Sequence, residues 1–261
     1  MFLSNLKIRD IRKSLYSLEN SNDVLAHALL NTALLSYCAL DLIILHRASK
    51  PDTFSEKLFS ADKSFLCVVI PKSGSRTLVY GLTEASQCYN FSLDISEKRI
   101  EHFVGEYYEY FKFSVVRNPW ARCYSCYKQK IRNPTPIQRA LHFNGRKGLR
   151  SNMSFGEFVE WLGTPEGSDE RADRHWISQS IVLGLDKGMQ YDYIGKLEEM
   201  DSVIRVVSER IGVSSDFFEH KLKSTEPDEY LKHCTPDIIY AIGERYAADI
   251  RNFGYDVPRI D

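Results

Sequence analysis

The chain has 261 residues, of which 43% are hydrophobic and 12% aromatic, and this is enough apolar material for the core of one large domain or two small ones. Its 34 lysines and arginines nearly balance 35 aspartates and glutamates, which excludes a global positive field that would recruit nucleic acid or an anionic membrane. An anion-binding role must therefore come from the local placement of cationic side chains.

The six cysteines indicate a reducing compartment, because they are scattered through a chain too long to need disulfides and we find no secretion signal with a cleavage site. We predict a cytoplasmic protein whose cysteines are thiols: Cys38, Cys67, Cys88, Cys123, Cys126 and Cys234. The C-x-x-C of Cys123 and Cys126 has no second pair at zinc-ligand spacing. We interpret these two cysteines as small residues one turn apart on a helix.

Residues 1–60 are predicted to form an N-terminal helical extension, and residues 61–261 a single domain. Within the extension, residues 24–45 form an apolar run long enough to span a bilayer. His27, Asn31 and Asp41 lie in this run, and each is costly at bilayer depth. A buried or interfacial helix is therefore predicted, with membrane association through this run as the alternative.

Short β-branched runs at residues 65–70 and 112–116 are each followed by a turn and a helix-compatible stretch. Residues 191–196 form a further strand candidate. This alternation predicts an α/β fold with a central, mainly parallel sheet flanked by helices.

Capping residues predict where several helices begin and end. Ser154 stands at capping-box spacing before a helix, and Asp201 and Gly212 bracket another. Near the end of the sequence, Thr235 followed by proline suits a helix start, and Gly254 suits the stop.

A strand end followed by a lysine and a turn of small residues predicts an anion site. Backbone N–H groups at a helix N-terminus are unpaired, glycine allows close backbone approach, and a lysine adds a full positive charge. The candidate ligands are Lys72, Ser73, Gly74, Ser75, Arg76 and Thr77. The alternative is an ordinary strand-to-helix turn with a solvated lysine.

A second anion site is predicted at the end of the strand over residues 112–116. Arg117 closes this strand, Asn118 and Pro119 suit the start of a helix, and Ser125 lies about two turns along it. An arginine fork and a serine hydroxyl can converge there on one phosphate. The alternative is a buried arginine that holds the helix start.

Both stretches resemble motifs of the sulfotransferases. The Pro-Lys loop is similar to the 5′-phosphosulfate loop, and the segment from Arg117 to Ser125 is similar to the 3′-phosphate motif. Residues 173–180, 191–200 and 244–256 resemble further segments of the carbohydrate-type members. The resemblance implies a P-loop-like sulfotransferase fold and the co-substrate 3′-phosphoadenosine 5′-phosphosulfate (PAPS). We expect no metal, because the transfer demands none and the seven histidines include no helical H-x-x-x-H pair.

The resemblance also implies an acceptor, the hydroxyl group of a carbohydrate or glycoconjugate, and a catalytic base that takes its proton. Lys72 would stabilise the leaving phosphate. His175, in the family-like segment, is our first choice of base, and His102 and Glu101 are the competitors. A structural histidine is the alternative for His175.

Two other functions remain open at this point. A P-loop kinase would use ATP and magnesium, but the Walker pattern places its lysine after a second glycine, whereas Lys72 precedes the only glycine of its loop. A non-catalytic module of the same fold would bind the nucleotide without transfer.

Overall fold

The computed structural model describes residues 54–60, 62–86, 88–94, 109–134, 146–221 and 228–259. All of them belong to one compact unit, Lys50–Asp261. The strands are β1 (Phe54–Ser60), β2 (Phe65–Val69), β3 (Tyr89–Asp94), β4 (Phe111–Val116) and β5 (Tyr193–Lys196). The predicted strands at residues 65–70, 112–116 and 191–196 correspond to β2, β4 and β5.

The five strands form one sheet in the order β3-β1-β2-β4-β5. β2 pairs in parallel with β4, and β4 with β5, while β1 runs antiparallel to both β2 and β3. Four of the five strands therefore point the same way, which confirms the α/β fold with a mainly parallel sheet. β1 and β3 were not predicted.

Helices follow the strands in the α/β manner. The α-helices are α1 (Ser75–Ala85), α2 (Pro119–Cys126), α3 (Phe155–Leu162), α4 (Gln179–Val182), α5 (Met200–Ile211), α6 (Pro236–Arg245) and α7 (Ala247–Phe253). A π-helix, Tyr127–Arg132, continues α2, and short 3₁₀ turns cover Leu185–Lys187, Leu197–Glu199, Ser215–Lys221 and Glu229–His233.

The predicted helix ends agree closely with the structure. Ser154 makes a full capping box at the start of α3, and Thr235 accepts a hydrogen bond from the Ile238 N–H at the start of α6. Gly254 ends α7 in the left-handed conformation. The single helix predicted over this last stretch is instead two helices, because the backbone leaves the helical conformation at Tyr246 (φ −116°, ψ 27°).

The central strands β2 and β4 are buried on both faces, as their apolar sequences require. Alternate residues of β2 point to opposite sides, so that Val68 joins one apolar cluster while Cys67 and Val69 join the other. The first cluster packs α2, α3 and α6 against the sheet, and the second packs α1 and α5. This sandwich fixes the ends of β2, β4 and β5 relative to one another.

The sheet begins within the segment that the sequence analysis assigned to an extension, because β1 ends at Ser60 and pairs along its length with β2. The apolar run at residues 24–45 lies outside the described residues. In the described ranges, no helix combines the length and the apolar character that a bilayer crossing needs.

Candidate functional site

The site lies where three neighbouring parallel strands end. Val68 of β2 is in register with Ser114 of β4, and Val116 of β4 with Lys196 of β5. The segments that leave these strands therefore meet at one edge of the sheet, the edge at which open α/β sheets bind ligands. Lys72 follows β2 and Arg117 follows β4, so the fold brings the two predicted anion sites together.

The loop after β2 has the backbone of an anion-binding turn. Lys72 and Gly74 both adopt positive φ, 74° and 73°, and the Ser73 N–H donates to the Ile70 carbonyl at 3.3 Å. The first turn of α1 contains no acidic residue and receives no side-chain cap. The N–H groups of its first residues, from Ser75 onward, are thus available to an external anion.

A side chain at position 74 would not fit. A Cβ atom there would lie 2.5 Å from Met200 Cε and 2.9 Å from Leu197 Cδ1. Glycine therefore serves both the left-handed backbone and the close packing of the loop against α5 and the turn before it.

The hydroxyl and basic side chains of this loop have different surroundings. Ser73 is buried and donates from Oγ to Gln179 Oε1 at 3.1 Å, so its hydroxyl points into the protein. Thr77 is also buried, Ser75 is half-buried and Arg76 is exposed. The loop offers its backbone N–H groups, Ser75 and Lys72 on its accessible side.

Lys72 is a desolvated cation in this structure. Its Nζ atom donates to Gln129 Oε1 at 2.7 Å. Burial lowers the pKa of Lys72 from 10.5 to about 8, and the nearby cations Arg117, Lys130 and Arg76 act in the same direction. An ammonium group held among other cations gains most from an incoming phosphate.

Arg117 contacts the Lys72 loop directly, with a hydrogen bond of 3.2 Å from Nη1 to the Lys72 carbonyl oxygen. Burial lowers the pKa of Arg117, while the Glu198 carboxylate opposes that effect. Asn118 caps α2 by accepting from the N–H groups of Trp120 and Ala121. The N-terminus of α2 is thus satisfied internally, which leaves the Arg117 guanidinium as the candidate anion-binding group on this side.

Ser125, the second member of the predicted 3′-phosphate site, lies half-buried on α2. The predicted helical neighbours Cys123 and Cys126 lie on the same helix and are buried. Burial raises the pKa of the Cys126 thiol to about 12, which makes it an inert core residue. Cys88, Cys123, Cys126 and Cys234 all carry free thiols.

The π-helix adds two residues that the sequence analysis missed, Gln129 and Lys130. Gln129 holds the Lys72 ammonium, and burial lowers the pKa of Lys130 while the nearby Asp173 carboxylate opposes the shift. π-helical turns recur at functional sites, but no periodicity in the sequence distinguishes this one from a continuing α-helix.

Two buried polar residues, Arg122 and Gln179, were also missed. Arg122, only 2% exposed, donates from Nη1 to the Ile177 carbonyl at 2.8 Å and from Nε to the Pro71 carbonyl at 3.2 Å. It therefore ties the lysine loop to the segment that contains His175. Arg122 lies between Arg117 and Ser125 of the second predicted anion site. Its position in this motif was the sequence signal that could have identified it.

His175 is paired with a buried carboxylate. Nδ1 of the His175 ring lies in close contact with Oδ1 of Asp173. The backbone N–H of His175 donates to the same oxygen at 2.9 Å. Burial lowers the pKa of His175 to about 4 despite this carboxylate, so the imidazole is neutral at physiological pH. The competitors His102 and Glu101 lie outside the described residues.

The tryptophans near this segment are core residues. Trp161 and Trp176 are 5% and 1% exposed and meet edge to face. Arg146 stacks over the Trp176 ring and lies 3.8 Å from Asp173. Both tryptophan rings are thus taken up by packing within the core.

A mainly parallel sheet with a lysine loop and an arginine at the ends of adjacent strands defines an α/β protein whose candidate site lies at the edge where such sheets bind ligands. A family model described as "Sulfotransferase family" matches residues 55–256. The chain belongs to this family, which confirms the resemblance drawn from the two motifs.

Curated relatives share the family at low identity. Carbohydrate sulfotransferase 14 of Danio rerio is 26% identical over 194 residues, 64% of this chain and 49% of that protein. Carbohydrate sulfotransferase 11 of Mus musculus is 29% identical over 170 residues, 57% of this chain and 48% of that protein. The chain spans about half the length of these relatives. No solved structure shows a significant match.

Proposed function

We propose that the protein transfers a sulfuryl group from PAPS to a hydroxyl group of a carbohydrate or glycoconjugate. The observation that carries the proposal is the contact between the two anion sites, the 3.2 Å hydrogen bond from Arg117 to the Lys72 carbonyl. A nucleotide with phosphates at both its 3′ and 5′ positions needs two cationic sites on one continuous surface. Membership of the sulfotransferase family supports the same assignment.

The residues present fit such a nucleotide. The loop after β2 combines a desolvated lysine with a helix start that has neither an acidic residue nor a side-chain cap. In this proposal the N–H groups of Ser75, Arg76 and Thr77 and the Lys72 ammonium hold the 5′ end, while Arg117 and Ser125 hold the 3′-phosphate. Ser73 and Gly74 shape the loop.

PAPS supplies an activated sulfuryl group. The chain contributes positioning and charge stabilisation, which account for most of the catalysis of loose, in-line transfers. Lys72 donates its hydrogen bond to the oxygen on which negative charge accumulates as the bond from sulfur to the 5′-phosphate breaks. To do so, Lys72 Nζ gives up its hydrogen bond to Gln129 Oε1 and donates to that oxygen instead.

The acceptor oxygen forms the new bond to sulfur and loses its proton to a base. We assign this role to His175, because the Asp173 carboxylate engages Nδ1 and Nε2 is therefore the nitrogen that receives the proton. The lowered pKa of His175 keeps the imidazole neutral and able to accept. Lys130 lies close enough to Lys72 and His175 to affect the pKa of both, which supports a base on the same side of the site as the lysine.

The curated relatives carry the name carbohydrate sulfotransferase, and this supports a glycan acceptor for the chain. The free thiols of the described cysteines fit the predicted reducing compartment. A cytoplasmic location is part of the proposal.

The test is turnover of PAPS with a panel of glycans, followed by mass spectrometry of each glycan. We expect one glycan to gain the mass of a sulfuryl group and 3′,5′-adenosine bisphosphate to appear in equal amount. Binding of PAPS without transfer to any glycan would contradict the proposed activity and indicate a non-catalytic binding module. Thermal stabilisation by ATP with magnesium, but not by 3′,5′-adenosine bisphosphate, would contradict the proposal in favour of a kinase.

A further inference from the structure

Gln179 is a fully buried polar residue that contacts both anion-binding segments. It is the first residue of α4 and is 0% exposed. Burying a primary amide is costly unless its donors and acceptor are paired. The partners of this amide therefore indicate what the residue does.

The side-chain amide pairs with the backbone of Arg117. The Arg117 N–H donates to Gln179 Oε1 at 2.9 Å, and Gln179 Nε2 donates to the Arg117 carbonyl at 2.8 Å. This two-way pairing reproduces what a neighbouring strand would provide just beyond the end of β4. The backbone that carries the guanidinium is held by both of its polar groups.

The same amide oxygen also holds the lysine loop, since it accepts the 3.1 Å hydrogen bond from Ser73 Oγ. Ser73 adjoins Lys72, and Arg117 is the cation of the second site. One side chain, 106 residues along the chain from Ser73, thus connects the two segments at the ends of β2 and β4.

Gln179 is itself anchored. Its backbone N–H donates to Asp249 Oδ2 at 2.8 Å, and the Ser180 N–H donates to Asp249 Oδ1 at 2.8 Å. Asp249 belongs to α7 and is 0% exposed. This carboxylate fixes the start of α4 and with it the base of the Gln179 side chain.

We propose that Gln179 is a positioning residue that fixes the separation between the lysine loop and Arg117, so that one nucleotide is held at both of its phosphate ends. The inference rests on the proposed function. It predicts a specific loss in Gln179 variants, because loops that move independently still bind a single phosphate but lose the advantage of a preorganised pair of sites.

The experiment measures, by calorimetry, the affinities of the full chain for 3′,5′-adenosine bisphosphate and for adenosine 5′-monophosphate. In the unmodified protein we expect the bisphosphate to bind more tightly. Gln179→Met keeps the length of the side chain and removes its hydrogen bonds, and we expect the ratio of the two affinities to fall about tenfold. Tyr191→Phe is the matched control, since it removes a hydrogen bond to the Leu183 carbonyl at the end of α4 but no contact with either loop or with Asp249.

A second variant keeps the inference testable if Gln179→Met does not fold. Ser73→Ala removes the hydrogen bond between the lysine loop and Gln179 but keeps the pairing of Gln179 with Arg117, and we expect a smaller fall in the ratio. An unchanged ratio in both foldable variants, or an equal loss of both affinities, would overturn the inference. If the unmodified protein does not prefer the bisphosphate, the proposed function is wrong instead.

Discussion

Arg117 donates a hydrogen bond from Nη1 to the carbonyl oxygen of Lys72 across 3.2 Å, although 45 residues separate the two in sequence. The parallel pairing of β2 with β4 accounts for this contact, because the strands end side by side. Two cations are thereby held close enough for the Arg117 guanidinium to lower the pKa of Lys72. Their mutual repulsion favours an anion that neutralises both.

Lys72 and Arg117 should contribute to different steps. We expect Lys72→Ala to lower the rate of sulfuryl transfer about 100-fold, because it removes a donor to the leaving oxygen, with a smaller loss of affinity for 3′,5′-adenosine bisphosphate. Arg117→Ala should chiefly weaken that affinity, by about 10-fold or more. Steady-state kinetics and calorimetry measure both, and Arg205→Ala, an exposed arginine on α5, is the control. Equal and small effects of the two variants would contradict the site.

The lowered pKa of Lys72 predicts a link between pH and stability. Its pKa is about 8 in the folded protein and 10.5 in the unfolded chain. Between these values the unfolded chain binds more protons, so the free energy of unfolding should rise with pH across this window. Lys72→Met should be the more stable protein at pH 7, by about 1 kcal/mol, and this advantage should shrink towards pH 10. Urea denaturation at both pH values is the measurement, and a constant difference would count against the shifted pKa.

His175 should give the same direction of pH dependence as Lys72, but in the acid range. With a folded pKa of about 4 against 6.5 when unfolded, it stays neutral until strongly acidic pH, and stability should fall as pH drops from 6.5 towards 4. His175→Asn should remove that part of the acid sensitivity and lower transfer about 100-fold, with nucleotide affinity nearly unchanged. A variant that keeps full transfer activity would return His175 to a purely structural role.

Substitutions at two glycines should distinguish the cost of backbone strain from the cost of steric overlap. Gly74 and Gly212 both have positive φ, 73° and 66°, but only Gly74 has side chains within reach of an added Cβ. Gly212→Ala should cost about 1 kcal/mol, the usual penalty of the left-handed conformation, and leave nucleotide affinity intact. Gly74→Ala should cost more and also weaken the affinity, because Met200 and Leu197 must move. Denaturation and calorimetry on both variants test this difference.

The central strands could be predicted from the sequence because β2 and β4 are buried on both faces and consist largely of apolar and aromatic residues. β1 and β3 escaped prediction since charged or polar residues interrupt them and their pairing joins distant segments. Their stability comes from the sheet, not from local propensity.

The residues of the candidate site also fall into those that the sequence predicts and those that depend on distant contacts. Lys72 and Arg117 stand in local motifs, each at a strand end, and could be found by position. Gln179 and Arg122 act through carbonyl and amide groups that are remote in sequence, and a buried polar side chain has no periodic pattern that marks it. The Asp173 contact engages Nδ1 of His175 and likewise depends on the folded loop.

The wide turn at Tyr127–Arg132 has a consequence for insertions and deletions. A π turn holds one residue more than an α turn, so deleting a single residue there would let α2 continue as a regular helix. Every side chain beyond the deletion would then rotate by roughly 100°, which would carry Gln129 and Lys130 away from the lysine loop. A deletion that makes the helix regular would thereby remove the contact between Gln129 and Lys72.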